Sequence, residues 1–246
     1  MDNNNEPSIN ISGRIISSQK PPYIIAELSG NHDGSIEKAL LMIDAAKNAG
    51  ADAVKLQSYT ANTMTIDHNG PGFQIESGIW KEKTLYDLYN QAHTPWDWHK
   101  SLFEYAHKIG ITIFSSPFDK TAVDFLEEFN PSAYKIASFE ITDYELIRYT
   151  ASKGRPIIIS TGIATIDEIQ DAVDICRAEN NNEIILLKCT SAYPAALEDA
   201  NLITIANLAE TFGVISGFSD HTLGTTAPIV AVTLGAKVIE KHFILD

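Results

Sequence analysis

The feature that most narrows the fold of this chain is an alternation that starts at Tyr23: short, continuously apolar runs separated by longer segments of helical period. Eight such runs occur, at 23–26, 53–56, 111–114, 133–137, 157–159, 184–187, 213–215 and 238–239. A run with no polar side is what a strand covered on both faces requires, and strands that alternate with helices become parallel neighbours. Eight parallel strands close a (β/α)8 TIM-type barrel, and 246 residues is the size of one such barrel. The predicted fold class is therefore α/β.

The intervening segments carry helix punctuation. Ser35 is placed to cap a helix with Glu37 in its first turn; Ile36, Leu40, Ile43 and Ala46 form one stripe, and Asn48-Ala49-Gly50 ends it. Segments 98–109, 121–129, 143–153, 166–177, 200–212 and 225–235 repeat the theme. Before the first strand, Ile9, Ile11, Ile15 and Ile16 alternate around Ser12-Gly13, a short β-hairpin that should plug or pad something larger. The expected division is a tail and hairpin over 1–20 and a catalytic barrel over 21–246. One connection breaks the rhythm: residues 58–97, with Phe73, Trp80, Tyr86, Tyr89 and Trp96, are too many for a βα loop and read as a lid or binding loop. No residues follow the eighth strand to make an eighth helix, so the sequence reads as a fragment of a longer protein.

Thirty-two acidic residues against 18 basic ones leave a net charge of −14, which disfavours attraction to nucleic acid or an anionic membrane. The start lacks the basic and apolar regions of a secretory signal, and no stretch is long and apolar enough to span a bilayer, so a soluble, cytoplasmic protein is expected. Cys176 and Cys189 are too few for a disulfide framework and read as small buried hydrophobes.

In a parallel barrel the site forms where the C-terminal ends of the strands converge, so the polar residues that end each apolar run are the informative ones. Here they are Glu27; Lys55 and Gln57; Ser115 and Ser116; Lys135, Ser138 and Glu140; Ser160 and Thr161; Lys188, Thr190 and Ser191; Ser219, Asp220 and His221; and His242. Lys55 and Lys135 interrupt apolar strands, and a buried ammonium needs an anionic partner. That partner is either an internal carboxylate, Glu27 or Glu140, or a ligand carrying phosphate and carboxylate groups, cradled with the hydroxyls of Ser116, Ser138, Ser160 and Ser219. His221 and His242 begin the loops of late strands; two imidazoles with oxygen ligands suit Mn²⁺, Fe²⁺ or Zn²⁺, though either ring alone also serves as a structural or acid–base group. Glu27 and Glu140, held near lysines, are placed to divide acid and base roles.

The strings Ile24-Ile-Ala-Glu-Leu-Ser-Gly-Asn-His-Asp-Gly34, Ala49-Gly-Ala-Asp-Ala-Val-Lys-Leu-Gln57, Tyr134-Lys-Ile-Ala-Ser138, Lys188-Cys-Thr-Ser-Ala-Tyr-Pro194, Gly217-Phe-Ser-Asp-His-Thr-Leu-Gly224 and Ile239-Glu-Lys-His-Phe243 resemble the sialic acid synthase family over nearly all of residues 9–246. Thr84-Leu-Tyr-Asp-Leu-Tyr89, His93-Thr-Pro-Trp-Asp-Trp98 and the presence of Ser191 are most similar to its pseudaminic acid synthase branch. The resemblance implies condensation of phosphoenolpyruvate with the open-chain aldehyde of an amino sugar, 2,4-diacetamido-2,4,6-trideoxy-altrose in that branch, to a nine-carbon 2-keto acid with release of phosphate. By the same likeness Lys55, Ser116, Lys135, Ser138, Ser160 and Ser219 would bind phosphoenolpyruvate. His221 and His242 would hold a divalent metal, typically Mn²⁺ with Mg²⁺ or Co²⁺ as alternatives. Glu27 would orient the aldehyde and activate water, and Gln57, Glu140, Ser191 and Tyr193 would meet the sugar. Full-length relatives carry an antifreeze-like C-terminal domain that acts across a homodimer, and this sequence lacks it. Competing readings are a synthase of N-acetylneuraminate or legionaminate, a Schiff-base aldolase using Lys188, and a barrel that only binds phosphorylated ligands.

Overall fold

The computed structural model describes residues 7–76, 78 and 80–245; the polar leader 1–6, Ser77 and Ile79 in the long connection, and Asp246 lie outside the described residues. Two antiparallel strands, β1 (Ile9–Ile11) and β2 (Arg14–Ile16), form the expected hairpin, pairing Ile9 with Ile16 and Ile11 with Arg14. Eight further strands follow: β3 (Tyr23–Glu27), β4 (Ala53–Ser58), β5 (Thr112–Pro117), β6 (Tyr134–Ile136), β7 (Ile157–Ser160), β8 (Ile184–Cys189), β9 (Ile215–Asp220) and β10 (Val238–His242). They pair in parallel in the closed order β10-β3-β4-β5-β6-β7-β8-β9, the predicted barrel.

Around it lie α1 (Ile36–Asn48), α2 (Ala61–Met64), α3 (Leu85–Ala92), α4 (Trp96–Ile109), α5 (Lys120–Glu127), α6 (Tyr144–Ala151), α7 (Ile166–Ala178), α8 (Thr204–Phe212) and α9 (Thr226–Thr233). Ser35 caps α1 as the sequence proposes, accepting from the Lys38 amide; Asp119 likewise accepts from those of Thr121 and Ala122, and Thr165 forms a capping box with Glu168. The outward strand residues Val54, Leu56, Ile113, Ile136, Ile159 and Leu186 pack against Met42, Ile43, Leu102, Phe103, Val123, Leu126 and Ile169 of the helices. Burying each such side chain stabilises the fold by about 1.5–3 kcal/mol. No helix follows β10 among the described residues; Phe243 and Leu245 pack against the large core instead.

The barrel interior has two tiers. Tyr23, Ile25, Ala53, Phe114, Ala133, Ile158, Ile185, Leu187, Ile215 and Val238 fill the half nearest the strands' N-terminal ends together with Ile9, Ile11 and Ile16 of the hairpin, which plugs that end. Side chains alternate along a strand. Two residues further along the same inward faces stand Glu27, Lys55, Ser116, Lys135, Ser160, Cys189 and Glu240, with Ser219 four past Ile215 across Gly217, and this polar tier is the base of the site.

One strand was misplaced by its pattern. The run at 213–215 is mostly a helix end: Gly213 caps α8 in the left-handed conformation at φ 64°, and β9 begins only at Ile215. Its sequence, Ile-Ser-Gly-Phe-Ser-Asp, is too polar to read as a buried strand, although all six residues are buried and Ser219 among them lines the site. The helix predicted from residue 200 likewise starts at Thr204, after a 3₁₀ turn over Leu197–Asp199.

Candidate active site

Register brings the charged groups together. Glu27 stands beside Lys55 in the β3/β4 ladder and beside His242 in the β10/β3 ladder, while Glu240 of β10 stands beside Ser219 of β9. The Lys55 ammonium lies 3.1 Å from Glu27 Oε2 and 2.9 Å from Glu240 Oε1, and Lys135 Nζ lies 3.5 Å from the same Glu240 oxygen. Gln57 Nε2 donates to Glu27 Oε1 at 3.1 Å, and Ser219 Oγ donates to Glu240 Oε1 at 3.4 Å. All four charged residues are buried.

Burial acts on each of these groups and their neighbours decide the outcome. Desolvation pushes the Glu27 carboxyl well above the usual carboxylate range, more than the Lys55 ammonium beside it can offset. Burial works the same way on Glu240, but the ammoniums of Lys135 and Lys55 overcome it and hold that carboxylate low. Desolvation lowers Lys135, against the pull of Glu240. The floor thus sets two ammoniums against two carboxylates, with Glu240 Oε1 shared by both lysines. Ser160 Oγ and Glu240 Oε2 are buried with no hydrogen-bond partner, which marks groups aimed at something other than the protein.

At the mouth, the rings of His221 and His242 lie 5.4 Å apart, with Tyr193 packed 4.1 Å from the first and 5.7 Å from the second. His221 Nδ1 meets the Thr190 carbonyl at 2.9 Å, which orients the ring and leaves Nε2 for a ligand. Burial and the neighbouring His221 drive His242 down to about 4, whereas for His221 the pull of burial is outweighed by Cys189 and the Thr190 carbonyl, which raise it. The donor set thus fits a divalent metal held by two imidazoles, with the remaining positions left to water and substrate oxygen. Among the described residues no cluster of three or more His, Cys, Asp or Glu side chains is arranged to hold one.

The cavity is lined by ten of the predicted site residues: Glu27, Lys55, Gln57, Lys135, Ser138, Ser160, Tyr193, Ser219, His221 and His242. Three others do not line it. Ser116 faces the barrel interior with a buried, unpartnered hydroxyl. Glu140 lies on a 3₁₀ turn (Ser138–Glu140) rather than on a strand, and it is Ser138 and Phe139 of that turn that line the cavity. Ser191 lies past the strand end, its hydroxyl 4.0 Å from Cys189 Sγ. The expectation that Glu140 neutralises Lys135 is also corrected, since the carboxylate there is Glu240.

Glu240, Cys189 and Phe139 line the cavity without having been singled out as site residues. Counting back two residues from His242, or on two from Leu187, finds the first two by strand alternation. Cys189 Sγ lies 3.8 Å from His221 Nδ1; burial raises this thiol, yet hydrogen bonds from His221 and Ser138 bring it down to about 7. Lys188 faces away: its ammonium donates to the Cys189 carbonyl and to Thr190 Oγ1, each at 2.8 Å, and it does not line the cavity, which removes the geometric basis for a Schiff base there.

The connection 58–97 folds as α2, α3 and irregular turns, and among the described residues none of it lines the cavity. Its aromatics pack at its base, Tyr59 edge-on to Tyr89 and Phe118 at 5.8 and 5.3 Å, and Trp96 stacked on Phe125 at 4.4 Å. His99 is fully buried, with Nε2 2.7 Å from Ser58 Oγ and Nδ1 3.2 Å from the Pro95 carbonyl. His32 is buried edge-on to Trp98 and accepts from the Gly34 amide, so it braces the first βα loop and does not line the cavity.

A closed eight-stranded barrel with buried lysines, carboxylates and serines beneath a histidine pair at its C-terminal mouth defines a barrel enzyme of anionic substrates. A NeuB family profile matches residues 42–246. The chain is 52% identical over 229 residues to the pseudaminic acid synthase of Campylobacter jejuni subsp. jejuni strain 81-176, and 52% identical over 227 residues to that of Helicobacter pylori strain 26695. These alignments cover 93% and 92% of this chain and 67% of each relative, so the chain spans about two thirds of their length. The chain belongs to the NeuB family. A crystal structure of N-acetylneuraminic acid synthetase from Leptospira borgpetersenii, in complex with citrate, superimposes with a TM-score of 0.88 at 34% identity, covering 98% of this chain and 79% of that one. A truncated 3-deoxy-D-arabino-heptulosonate 7-phosphate synthase from Thermotoga maritima matches at TM-score 0.69 and 13% identity, a likeness of fold alone.

Proposed function

We propose that this chain is the barrel of a pseudaminic acid synthase, condensing phosphoenolpyruvate with 2,4-diacetamido-2,4,6-trideoxy-altrose to a nine-carbon 2-keto acid and phosphate. The observation that carries this reading is the paired ammonium floor of Lys55 and Lys135 directly beneath His221 and His242, in a chain half identical to curated pseudaminic acid synthases.

In this reading Lys55 and Lys135, with the hydroxyls of Ser138, Ser160 and Ser219, bind the phosphate and carboxylate of phosphoenolpyruvate; charge-assisted hydrogen bonds from buried donors are the strong ones. His221 and His242 would hold a divalent metal, Mn²⁺ with Mg²⁺ or Co²⁺ as substitutes, which when bound would supply Lewis-acid polarisation of the sugar aldehyde. Gln57 fixes the Glu27 carboxyl at the mouth, where it orients the aldehyde and handles the proton of the water that adds to C2. The enol carbon C3 forms the new bond, water oxygen enters at C2, and the C2–O bond to phosphate breaks. Tyr193 closes one side of the sugar site. Ser116, Glu140 and Ser191 stand behind these residues. The same reading carries a cytoplasmic location and a homodimer for the full-length protein, and the net charge of −14 supports the absence of nucleic-acid or membrane partners.

The test is a phosphate-release assay with phosphoenolpyruvate, Mn²⁺ and either sugar. Turnover of the 2,4-diacetamido-6-deoxy sugar at least tenfold more efficient than that of N-acetylmannosamine is expected. Equal efficiency would shift the reading to an N-acetylneuraminate synthase, and borohydride trapping of Lys188 with substrate would replace it with a Schiff-base aldolase.

A further inference from the structure

We infer that Phe139 is a specificity-determining residue for the second substrate, an aromatic platform that takes its methyl-bearing, uncharged part; the inference rests on the condensation reading above. Phe139 is 61% exposed and lines the same cavity as the lysine floor. Isolated exposed apolar side chains need no explanation, but this one lines a site. Its turn is pinned by the Glu140 amide donating to the Ala137 carbonyl at 3.1 Å and the Asp143 amide donating to the Glu140 carbonyl at 2.9 Å. Ser138, its neighbour, is fixed by the Gly162 amide donating to its hydroxyl at 3.1 Å. These bonds hold the turn, and with it the Phe139 backbone, at the edge of the cavity.

Charge in the cavity is segregated. The ammoniums and carboxylates of Lys55, Lys135, Glu27 and Glu240 are all buried in the floor, whereas the exposed aromatic surface at the mouth comes from Phe139 and Tyr193, the latter also 66% exposed. An anionic substrate is drawn to the floor, and the neutral substrate that must meet it is left against the rings. A flat hydrocarbon ring offers no hydrogen bond to a hydroxyl but gains dispersion and desolvation from methyl and C–H groups. Phe139 thus favours a sugar that carries a methyl where its analogue carries a hydroxymethyl group. Among the described residues the long connection 58–97 contributes none to the lining, so the choice falls to this turn.

The test is steady-state kinetics of wild type, Phe139→Ala and Phe139→Leu, varying phosphoenolpyruvate and the 6-deoxy sugar separately, with N-acetylmannosamine as the competing acceptor. Phe139→Ala should raise KM for the 6-deoxy sugar roughly tenfold, leave KM for phosphoenolpyruvate within twofold, and reduce the preference over N-acetylmannosamine by a similar factor. Phe139→Leu, which restores apolar contact, should recover most of the loss. An unchanged sugar KM and preference in Phe139→Ala, or equal rises in both KM values, would overturn the inference while wild-type turnover upholds the condensation. Absence of phosphate release by the wild type with either sugar would overturn both.

Discussion

Lys55 Nζ and Glu240 Oε1 lie 2.9 Å apart at the floor of the barrel, both buried, and the same oxygen is the nearest carboxylate to Lys135. Removing Glu240 leaves two buried ammoniums short of a counter-charge, a change that costs about 3–5 kcal/mol when one partner of a buried pair is deleted. Glu240→Ala should therefore lose about 3 kcal/mol of stability in urea unfolding. Glu140→Gln, whose carboxylate pairs with neither lysine, should stay within about 1 kcal/mol of wild type. Equal losses would contradict the assignment of Glu240 as the floor's anion.

Removing either mouth imidazole should remove metal. His242→Ala is expected to weaken Mn²⁺ binding at least about 100-fold by calorimetric titration, since loss of even an outer-shell partner costs 10–100-fold. His107, exposed on α4, serves as the control, and His107→Ala should leave the affinity unchanged. Unaltered binding in His242→Ala would remove the pair from the metal site.

Stability should also depend on pH through His99. Burial pushes this ring down to about 4, against hydrogen bonds to Pro95 and Trp96 that favour its charged form. In the unfolded chain it takes a proton near pH 6.5, so between about 6.5 and 4 the unfolded state binds more protons and stability falls as pH drops. At about 1.4 kcal/mol for each pH unit, the window amounts to roughly 3 kcal/mol. Unfolding free energies of wild type and His99→Gln, measured from pH 7 to 4, should converge as pH falls. Parallel curves would show that His99 does not titrate in this way.

Gly217 faces into the barrel where a Cβ would stand 2.3 Å from the Val238 carbonyl oxygen and 2.7 Å from Leu187 Cδ2. The contact is with a neighbouring strand's backbone, which cannot yield as a flexible side chain can. Gly217→Ala is expected to destabilise by about 3 kcal/mol or more, at the upper end of overpacking costs. A thermal midpoint within a degree of wild type would mean that β9 shifts freely against β10.

The barrel was legible because its strands are apolar on both faces in their first halves, so Ile157–Ile159 and Ile184–Leu187 stand out without any alignment. The same logic hid β9, whose second half is site rather than core, and left a helix-capping glycine in its place. Site residues were legible where a polar group ended an apolar run, as at Lys55, Lys135 and His242. Glu240 was passed over because only the polar residue that ends the run, His242, was weighed; alternation back from it turns Glu240 inward, while Lys241 donates to Asp220 at 2.6 Å outside the floor. Glu140 was misjudged because a 3₁₀ turn does not keep the alternation of a strand, and Phe139 was overlooked for the same reason.

The measurement that tests the account most directly follows the bridging oxygen of phosphoenolpyruvate. If the buried floor holds phosphate and carboxylate while water adds at C2, the C2–O bond breaks and an ¹⁸O label in the bridge leaves entirely with inorganic phosphate, only when the amino sugar is present. Mass spectrometry of phosphate and keto acid reads both products. Label appearing in phosphate with an unlabelled keto acid is the predicted result; label retained in the keto acid, or phosphate formed without the sugar, would contradict it.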